Sequence, residues 1–273
     1  IKYSGSHGIF AWGGVVGITL QNNTLSYIGG AYLTGTTRFG NCIEIYTSLD
    51  TSNIDILNNA ISQCFDEGIT DQSSGLTADI DIDDILVEGN TISACGRGVA
   101  SSFSSITGTT TKTNVIYSKN TIQNLDDAWS SPSGPNPTNG QSKGMSMNNS
   151  AADTMTGCEI RYNLIDTTES GADPIGQGIS IQGTEDWAVY GNMVLGAFNS
   201  HIRIHGDVSG SIYRNVVGEI TTKPGLYITD NDATLVVDNN TFHKSGGTNT
   251  NVVAIGLDSF DVTDTTFRNN IIS

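Results

Sequence analysis

The feature that most constrains the fold is an eight-residue pattern that recurs along the whole chain. Its clearest copy is Ile54–Ile61, and the sixth position of every copy is an asparagine. The nine aligned asparagines, which lie 23 to 43 residues apart, are Asn23, Asn59, Asn90, Asn120, Asn163, Asn192, Asn215, Asn240 and Asn270. A repeat of variable period predicts a solenoid whose loops differ in length from coil to coil.

Within the clearer copies, apolar residues lie five and three positions before the asparagine and two positions after it. The approach to the asparagine therefore alternates with period two, as a β-strand does. An asparagine tolerates the left-handed backbone of a sharp bend, and stacked side-chain amides can hydrogen-bond along the solenoid axis. No window has the spacing of an amphipathic helix. The pattern predicts a strand, a bend at the asparagine and an asparagine ladder.

A second strand recurs between these copies, often as Gly-Ile followed by alternating residues. Its copies are Gly8–Trp12, Cys42–Tyr46, Gly68–Gln72, Gly98–Ser102, Gly144–Asn148, Gly178–Gln182, His201–His205, Gly225–Thr229 and Val252–Gly256. Each coil then holds this strand, the strand before the asparagine and a short third strand. We expect an all-β chain, a single-domain right-handed parallel β-helix of about nine coils over residues 1–273, with no helical cap at either end.

This repeat resembles the pectate-lyase-like superfamily, and the resemblance covers essentially the whole chain. It implies the β-helix fold and a secreted, carbohydrate-active protein, but one fold hosts many reactions. We therefore look for the function in the side chains that the coils bring together.

The charge and hydropathy of the chain limit which kinds of binding partner it can have. Twelve Lys and Arg residues stand against 28 Asp and Glu residues, so the net charge is −16 and disfavours nucleic acid and anionic membrane surfaces. No apolar run is long enough to insert into a membrane. The sequence begins in mid-pattern, so we expect a processed or trimmed form. Its uncapped ends favour either a missing flanking domain or end-to-end self-association.

The four cysteines occupy core positions of the pattern. Cys64 and Cys95 share one column in neighbouring coils, and Cys158 aligns with isoleucines of other coils. Two states are open: buried thiols, or a disulfide between Cys64 and Cys95. Neither state involves Cys42, and no Cys/His spacing indicates zinc.

The outward side of the Gly-Ile strands, which we call the first-strand face, is the predicted binding surface. One column of side chains reads Phe10, Glu44, Thr70, Ala100, Ser146, Ser180, Arg203, Tyr227, and the next reads Trp12, Tyr46, Gln72, Ser102, Asn148, Gln182, His205, Thr229. The turn into each strand carries His7, Asn41, Glu67, Arg97, Lys143, Gln177, Ser200 and Pro224. Aromatic rings, amides and charges in rows indicate a groove for an extended polysaccharide.

The candidate substrate-binding residues on this face are Trp12, Tyr46, Gln72, Asn148, Gln182, Arg203, His205 and Tyr227, together with Trp129 of a long Pro-rich loop. We expect that loop, 123–143, to overhang the face, because loops carry the function of a solenoid.

A narrower resemblance, to polygalacturonases, falls on two of these segments. Residues 65–69, with Asp66 and Glu67, resemble the acidic DDC motif of that family, and 202–205 resemble its Arg-Ile-Lys motif with His205 in place of Lys. The chain departs from the family in having Gly40-Asn41-Cys42 at the NTDG position and Arg97-Gly98 where GHG is expected. Several coils separate Glu67 from Arg203, so we do not expect the two to share one sugar.

Two chemistries fit the central coils. A glycoside hydrolase would use Glu67 and Glu44 as its carboxyl pair, with Asp66 as a further carboxylate. A polysaccharide lyase or epimerase would need a base and a cation beside a substrate carboxylate, which Arg97 and Lys143 supply next to Glu67. Calcium is a candidate cofactor, with oxygen ligands from Asp81, Asp83, Asp84, Asp126 and Asp127.

Two other function classes remain open: a non-catalytic glycan-binding module, and a structural, fibre-forming or adhesin-like β-helix. Asp71 is an anomaly under every reading, because it stands at an inward position that is apolar in most coils. Ser101 stands at the same position in the next coil. A buried carboxylate there implies either a local register break or a polar stack with Ser101.

Overall fold

The chain forms parallel strands stacked coil upon coil, in a computed structural model that describes residues 1–30, 32–34, 37–38, 40–74, 77–104, 108–125, 143–148, 154–167, 175–196, 198–220, 224–229, 234–244, 253–258 and 265–273. These residues contain 29 strands and no helix. Hence none of the described segments is a long apolar helix able to cross a membrane.

The first half of the chain, in sequence order, holds β1 (Lys2–Ser4), β2 (Ile9–Gly13), β3 (Val16–Gln21), β4 (Thr24–Ile28), β5 (Tyr32–Thr34), β6 (Thr37–Arg38), β7 (Ile43–Thr47), β8 (Thr51–Leu57), β9 (Ala60–Cys64), β10 (Glu67–Ser74), β11 (Ile80–Glu88), β12 (Thr91–Ser93), β13 (Arg97–Ser104), β14 (Thr110–Ser118) and β15 (Thr121–Gln123). The second half holds β16 (Lys143–Asn148), β17 (Thr154–Thr156), β18 (Cys158–Arg161), β19 (Leu164–Asp166), β20 (Ile175–Tyr190), β21 (Met193–Leu195), β22 (Phe198–Tyr213), β23 (Val216–Gly218), β24 (Leu226–Thr229), β25 (Thr234–Asp238), β26 (Thr241–Phe242), β27 (Ile255–Asp258), β28 (Thr266–Arg268) and β29 (Ile271–Ile272).

Three parallel ladders run the length of the molecule. The first joins β2, β7, β10, β13, β16, β20, β22, β24 and β27, and the second joins β3, β8, β11, β14, β17 with β18, β20, β22, β25 and β28. The third joins β1, β4, β9, β12, β15, β19, β21, β23, β26 and β29. The long strands β20 and β22 bend through both the first and the second ladder. This is a right-handed parallel β-helix of nine coils, as the repeat predicts.

The asparagine ladder is confirmed. Side-chain amides link all nine aligned asparagines in sequence, from Asn23 to Asn270, by Nδ2 to Oδ1 hydrogen bonds of 2.9 to 3.1 Å. Each Oδ1 after the first also accepts the backbone N–H of the preceding asparagine. Buried amides thus satisfy the backbone at the bend, where each coil leaves the second ladder.

The left-handed residue of this bend is one position earlier than the sequence predicts. In every coil the residue before the ladder asparagine has φ between 52° and 70°: Asn22, Asn58, Gly89, Lys119, Tyr162, Gly191, Arg214, Asn239 and Asn269. The ladder asparagine itself is therefore selected by its hydrogen bonds and not by its backbone angle.

The glycine before each first strand marks a corner with no room for a side chain. A Cβ on Gly98 would lie 2.2 Å from the carbonyl oxygen of Gly144 and 2.6 Å from Ile122 Cδ1 of the third ladder. Gly68, Gly144 and Gly178 face the same obstruction. Because the third ladder packs this closely against the first, the residue before each glycine stands at the edge of the first-strand face.

Two predictions from the sequence need correction. The last copy of the first strand is β27, because Leu226 pairs with Ile255 and Ile228 with Leu257, two residues later than the predicted copy Val252–Gly256. Neither of the two states expected for Cys64, a buried thiol or a bond to Cys95, is found, because its disulfide joins it to Cys42.

The column of Cys64 and Cys95 is nevertheless right, since the Cys64 N–H lies 3.4 Å from Cys95 Sγ. Cys42 begins a coil and Cys64 ends the same coil, so the chain returns to its starting corner with the two Cα atoms 5.9 Å apart. Comparison along one column could not show this bond across a corner. Cys95 and Cys158 remain buried thiols.

Candidate functional site

The first-strand face has the register that the sequence predicts in its eight earlier coils. Glu44 lies opposite Phe10 and Thr70, and Tyr46 lies opposite Trp12 and Gln72. Farther along, Ser180, Arg203 and Tyr227 are successive neighbours, as are Gln182, His205 and Thr229. At the turns, Glu67 pairs with Arg97 and Lys143 with Gln177. We call the group of Glu44, Asp66, Glu67, Arg97 and Lys143 the charged corner.

Glu44 is a buried carboxylate whose two oxygens are both occupied. Gln72 Nε2 donates to Oε1 at 2.7 Å, while Asn41 Nδ2 donates to Oε2 at 2.8 Å. His7 Nδ1 lies 2.7 Å from the same Oε2. Burial tends to raise the pKa of Glu44, but the contacts with His7, Gln72 and Asn41 outweigh it and lower the pKa below its usual value. Glu44 is thus held as an anion with little capacity left to accept a substrate proton.

Asp66 and Glu67 form a pair of carboxyl groups beside Arg97. Burial and the adjacent charge of Asp66 raise the pKa of Glu67 to about 8, although the Arg97 guanidinium, which donates to Glu67 Oε1, opposes this shift. Burial also raises the pKa of Asp66, against the opposing charge of Arg97. Glu67 is only 2% exposed, and Asn41 Oδ1 accepts its backbone N–H at 3.0 Å. At neutral pH this pair holds a proton that it can donate.

Lys143 and Arg203 bring two further positive charges to this edge. Burial, followed by the charges of Arg97 and Arg203, lowers the pKa of Lys143 to about 8. Among the described residues neither Lys143 nor Arg203 has an acidic partner within 4.0 Å, and the buried Nε of Arg203 has no hydrogen-bond partner there. The structure therefore links Arg203 electrostatically to the charged corner through Lys143.

The floor of the face is less open than the sequence suggests. Side chains of the first column from Glu44 to Ser180 are at most 2% exposed: Glu44, Thr70, Ala100, Ser146 and Ser180. Within the described part of the chain the hydroxyls of Thr70 and Ser180 have no hydrogen-bond partner. A ligand would consequently meet the turn residues and the second column, and not this buried row.

The predicted aromatic platforms lie at the two ends of the face. Trp12 is 72% exposed, whereas Tyr46 and Tyr227 are half-buried, and the Tyr227 hydroxyl donates to Asp258 Oδ2 at 2.7 Å. Gln72, Gln182 and His205 are also half-buried. The backbone of Asn148 ends β16, but Trp129 of the long loop lies outside the described residues.

Three contributors to the site were not among the candidates from the sequence. His7 and Asn41 hold Glu44, and Phe10 stacks on His7 with ring centroids 5.1 Å apart. His7 and Asn41 precede the glycine column, as Glu67, Arg97 and Lys143 do. That shared position was the available signal, but the candidates at the turns were confined to the charged residues.

The calcium candidates are not brought together in the described residues. No three His, Cys, Asp or Glu side chains in that part of the chain are placed to hold a metal ion. Asp84 Oδ1 accepts from Asn114 Nδ2 at 3.0 Å, and the Asp81 N–H donates to Asp50 Oδ1 at 3.0 Å. Asp126 and Asp127 fall outside the described residues.

Comparison of the chain with protein-family models, with curated proteins and with solved structures gives no match.

Proposed function

We propose that the protein is a secreted polysaccharide lyase, which cleaves a uronate-containing polysaccharide by β-elimination at the charged corner. The observation that supports this most is the pairing of cations with a protonated acid. Lys143 and Arg203 have no acidic partner among the described residues, and Lys143 stands two coils from Glu67, whose pKa is about 8. On a chain of net charge −16, this local group of positive charges favours the binding of a sugar carboxylate at the charged corner.

Each group then has one task. Arg97, whose coil lies between those of Glu67 and Lys143, binds the carboxylate of the sugar and disperses the negative charge that forms when the neighbouring C5 proton is removed. Arg203, two coils beyond Lys143, binds the carboxylate of another sugar of the same polysaccharide. Neutral Lys143 takes that proton, because its lowered pKa makes the free amine available near neutral pH. Protonated Glu67 gives its proton to the departing glycosidic oxygen. The C4–O bond breaks and a C4=C5 double bond forms.

A glycoside hydrolase is the second candidate, and the opposite pKa shifts of Glu44 and Glu67 favour it. Such a split assigns an acid and a base in known glycosidases. The weakness lies in Glu44, whose oxygens are already bound by Gln72, Asn41 and His7 in a buried setting. A hydrolytic base must reach a water molecule, so we place the lyase first.

The test is to incubate the protein with polygalacturonate and alginate, with dextran as the neutral control, and to record ultraviolet absorbance and new reducing ends. A lyase produces both signals, because the new double bond is conjugated to the carboxylate. Reducing ends without the absorbance would identify a hydrolase instead. Neither signal, over this panel, would favour the non-catalytic glycan binder or the structural fibre.

Variants locate the activity. Lys143→Ala and Glu67→Gln should each lower kcat by at least about 100-fold, the usual contribution of a general base or acid. Lys119→Ala removes an exposed lysine paired with Glu88 on the second ladder and should keep full activity. The rate should follow a bell-shaped pH profile centred near pH 8, since Lys143 must be neutral while Glu67 is protonated. Full activity of both corner variants would place the site elsewhere.

Membership of the pectate-lyase-like superfamily and an extracellular location are parts of the same proposal. The Cys42–Cys64 disulfide supports the location, because such bonds persist in oxidising compartments. Mass mapping of the native protein should find both cysteines oxidised, and two free thiols there would count against it.

End-to-end self-association, or a flanking domain, remains the proposed cover for the terminal coils. Ile271 and Ile272 of β29 are 60% and 66% exposed, which supports such a contact. Sedimentation over a range of concentrations should show association that Ile272→Lys abolishes, whereas a monomer at every concentration would reject self-association.

A further inference from the structure

A polar cluster lies inside the solenoid, where other coils have apolar side chains. Asp71 of β10 points inward in unbroken register, with Ile45 and Ser101 as its neighbours, so the polar stack is right and the register break is wrong. Lys112 and Tyr117 reach it from β14 across the core, each only 1% exposed. The neighbours of Lys112 on the second ladder are Ile82 and Met155.

Three donors surround the Asp71 carboxyl group. Ser101 Oγ donates to Oδ2 at 2.8 Å, and the Tyr117 hydroxyl donates to Oδ1 at 3.0 Å. Lys112 Nζ lies 3.7 Å from Oδ2 and hydrogen-bonds to Ser101 Oγ. Burial raises the pKa of Asp71 even though the charge of Lys112 opposes it. Separated charges are costly in such a low-dielectric interior, and so the amine and the acid gain by becoming neutral.

We propose that Lys112 and Asp71 condense to an intramolecular isopeptide bond between the second ladder of one coil and the first ladder of the preceding coil. A proton first passes from the Lys112 ammonium to the Asp71 carboxylate. The neutral amine then attacks Asp71 Cγ, while Tyr117 donates to the oxyanion that develops on Oδ1. Ser101 transfers one amine proton to Oδ2, the Cγ–Oδ2 bond breaks, and Oδ2 leaves as water.

The arrangement has the parts that this reaction needs. The reacting groups are held at contact distance, where proximity replaces a bimolecular encounter, and Tyr117 stands where negative charge develops. The product also fits the site. Its carbonyl oxygen keeps the Tyr117 hydrogen bond, its N–H faces Ser101 Oγ, and two buried charges disappear.

Mass spectrometry of the whole chain tests the proposal directly. After reduction and alkylation, the denatured protein should be lighter than its sequence by one water molecule. Trypsin should release peptides 39–97 and 98–119 as one branched species, because it cannot cut after an amide-linked Lys112. A folded protein that keeps its full mass, both as purified and after prolonged incubation, would show an ordinary ion pair and overturn the proposal.

Variants assign the bond. Lys112→Met should restore the full sequence mass, while Lys119→Met, a change at the exposed lysine next along the chain, should leave the water loss intact. Because the wild-type chain itself gives the deciding mass, a failure of Lys112→Met to fold does not weaken the test. A water loss that persists in a folded Lys112→Met variant would assign the bond to other groups and reject this pair.

Discussion

At the scale of single residues, the charged corner keeps Glu67 protonated at a pH at which an exposed glutamate is ionised. Glu67 lies between Asp66 and Arg97 at the edge of the first ladder, with almost no exposure. Burial raises its pKa more than Arg97 lowers it, so the carboxyl group stays protonated at neutral pH. The same imbalance that would make Glu67 a proton donor therefore lowers the free energy of unfolding as the pH rises, because the unfolded chain releases this proton at a lower pH than the folded protein does.

This imbalance gives a pH dependence of stability. The folded pKa of Glu67 is about 8 against an ordinary 4.5, so the folded state holds more protons than the unfolded chain between these values. The stabilising contribution is complete below pH 4.5 and is lost as the pH rises through 8. Urea unfolding across this window should show a falling free energy of unfolding, and Glu67→Gln should flatten the fall, while Asp66 retains a part of it.

Glu88→Gln is the matched control, because Glu88 pairs with Lys119 on the outer side of the second ladder. It should reproduce the parent's pH dependence. An unchanged slope in Glu67→Gln would mean that Glu67 is ionised in the folded protein.

Residue by residue, the sequence predicts columns better than it predicts contacts across the core. Glu44, Glu67, Arg97 and Lys143 were found because one alignment places them on neighbouring coils. Lys112 could have been seen as a cation in the column of Ile82 and Met155, but its partner stands on a different ladder. Which side chains of different ladders touch depends on the width of the core, and the pattern of a single repeat does not determine that width.

At the scale of the element, each interior asparagine of the ladder is hydrogen-bonded to an asparagine on both sides, whereas the first and the last are bonded on one side. Asn90 is completely buried, and its amide donates to Asn120 Oδ1 and to the carbonyl of Ile56. The Oδ1 atom of Asn90 accepts a hydrogen bond from Asn59 Nδ2. Asn90→Ala should lower the free energy of unfolding by about 1–3 kcal/mol, because buried partners on both sides lose a hydrogen bond.

Asn23→Ala is the control at the first position of the same ladder. Asn23 is half-buried and, among the described residues, its side chain bonds only toward Asn59, so its replacement should cost less. Chemical unfolding of the two variants gives the comparison directly. Equal losses would show that the interior ladder bonds contribute no more than a terminal one.

The strands and bends could be predicted because each is fixed by neighbours within a few residues. Alternation set the strand faces, and the repeated asparagine set the coil length. The Cys42–Cys64 bond was not predicted, and the reason is geometric. Both cysteines lie in one coil, but they meet only because the third ladder returns to the first. Loop residues such as Trp129 carry no repeat at all, so periodicity says nothing of their position.

At the scale of the whole molecule, each coil contacts only its neighbours, and the coils at the two ends have one neighbour each. The middle coils bury Ile69, Val99 and Met145, whereas Phe267 and Ile271 of the last coil are 40% and 60% exposed. Stability in such a solenoid is a sum of coil and interface terms. We therefore expect opening to begin at an end and not in the middle.

Hydrogen exchange followed by mass spectrometry measures this gradient. Amides of β10, β13 and β16 should exchange slowest, and those of β28 and β29 fastest, because local opening needs fewer broken contacts at an end. Uniform protection along the solenoid would show that the chain unfolds only as a whole.

The bend before each ladder asparagine has a different kind of consequence. One backbone geometry, with φ held between 52° and 70°, is occupied in a single molecule by asparagine four times, by glycine twice, and by Lys119, Tyr162 and Arg214 once each. Left-handed backbone costs a residue with a Cβ about 1–2 kcal/mol, and less for asparagine. The solenoid is consequently its own host–guest series, in which the intrinsic left-handed preferences of different amino acids can be compared against one constant framework.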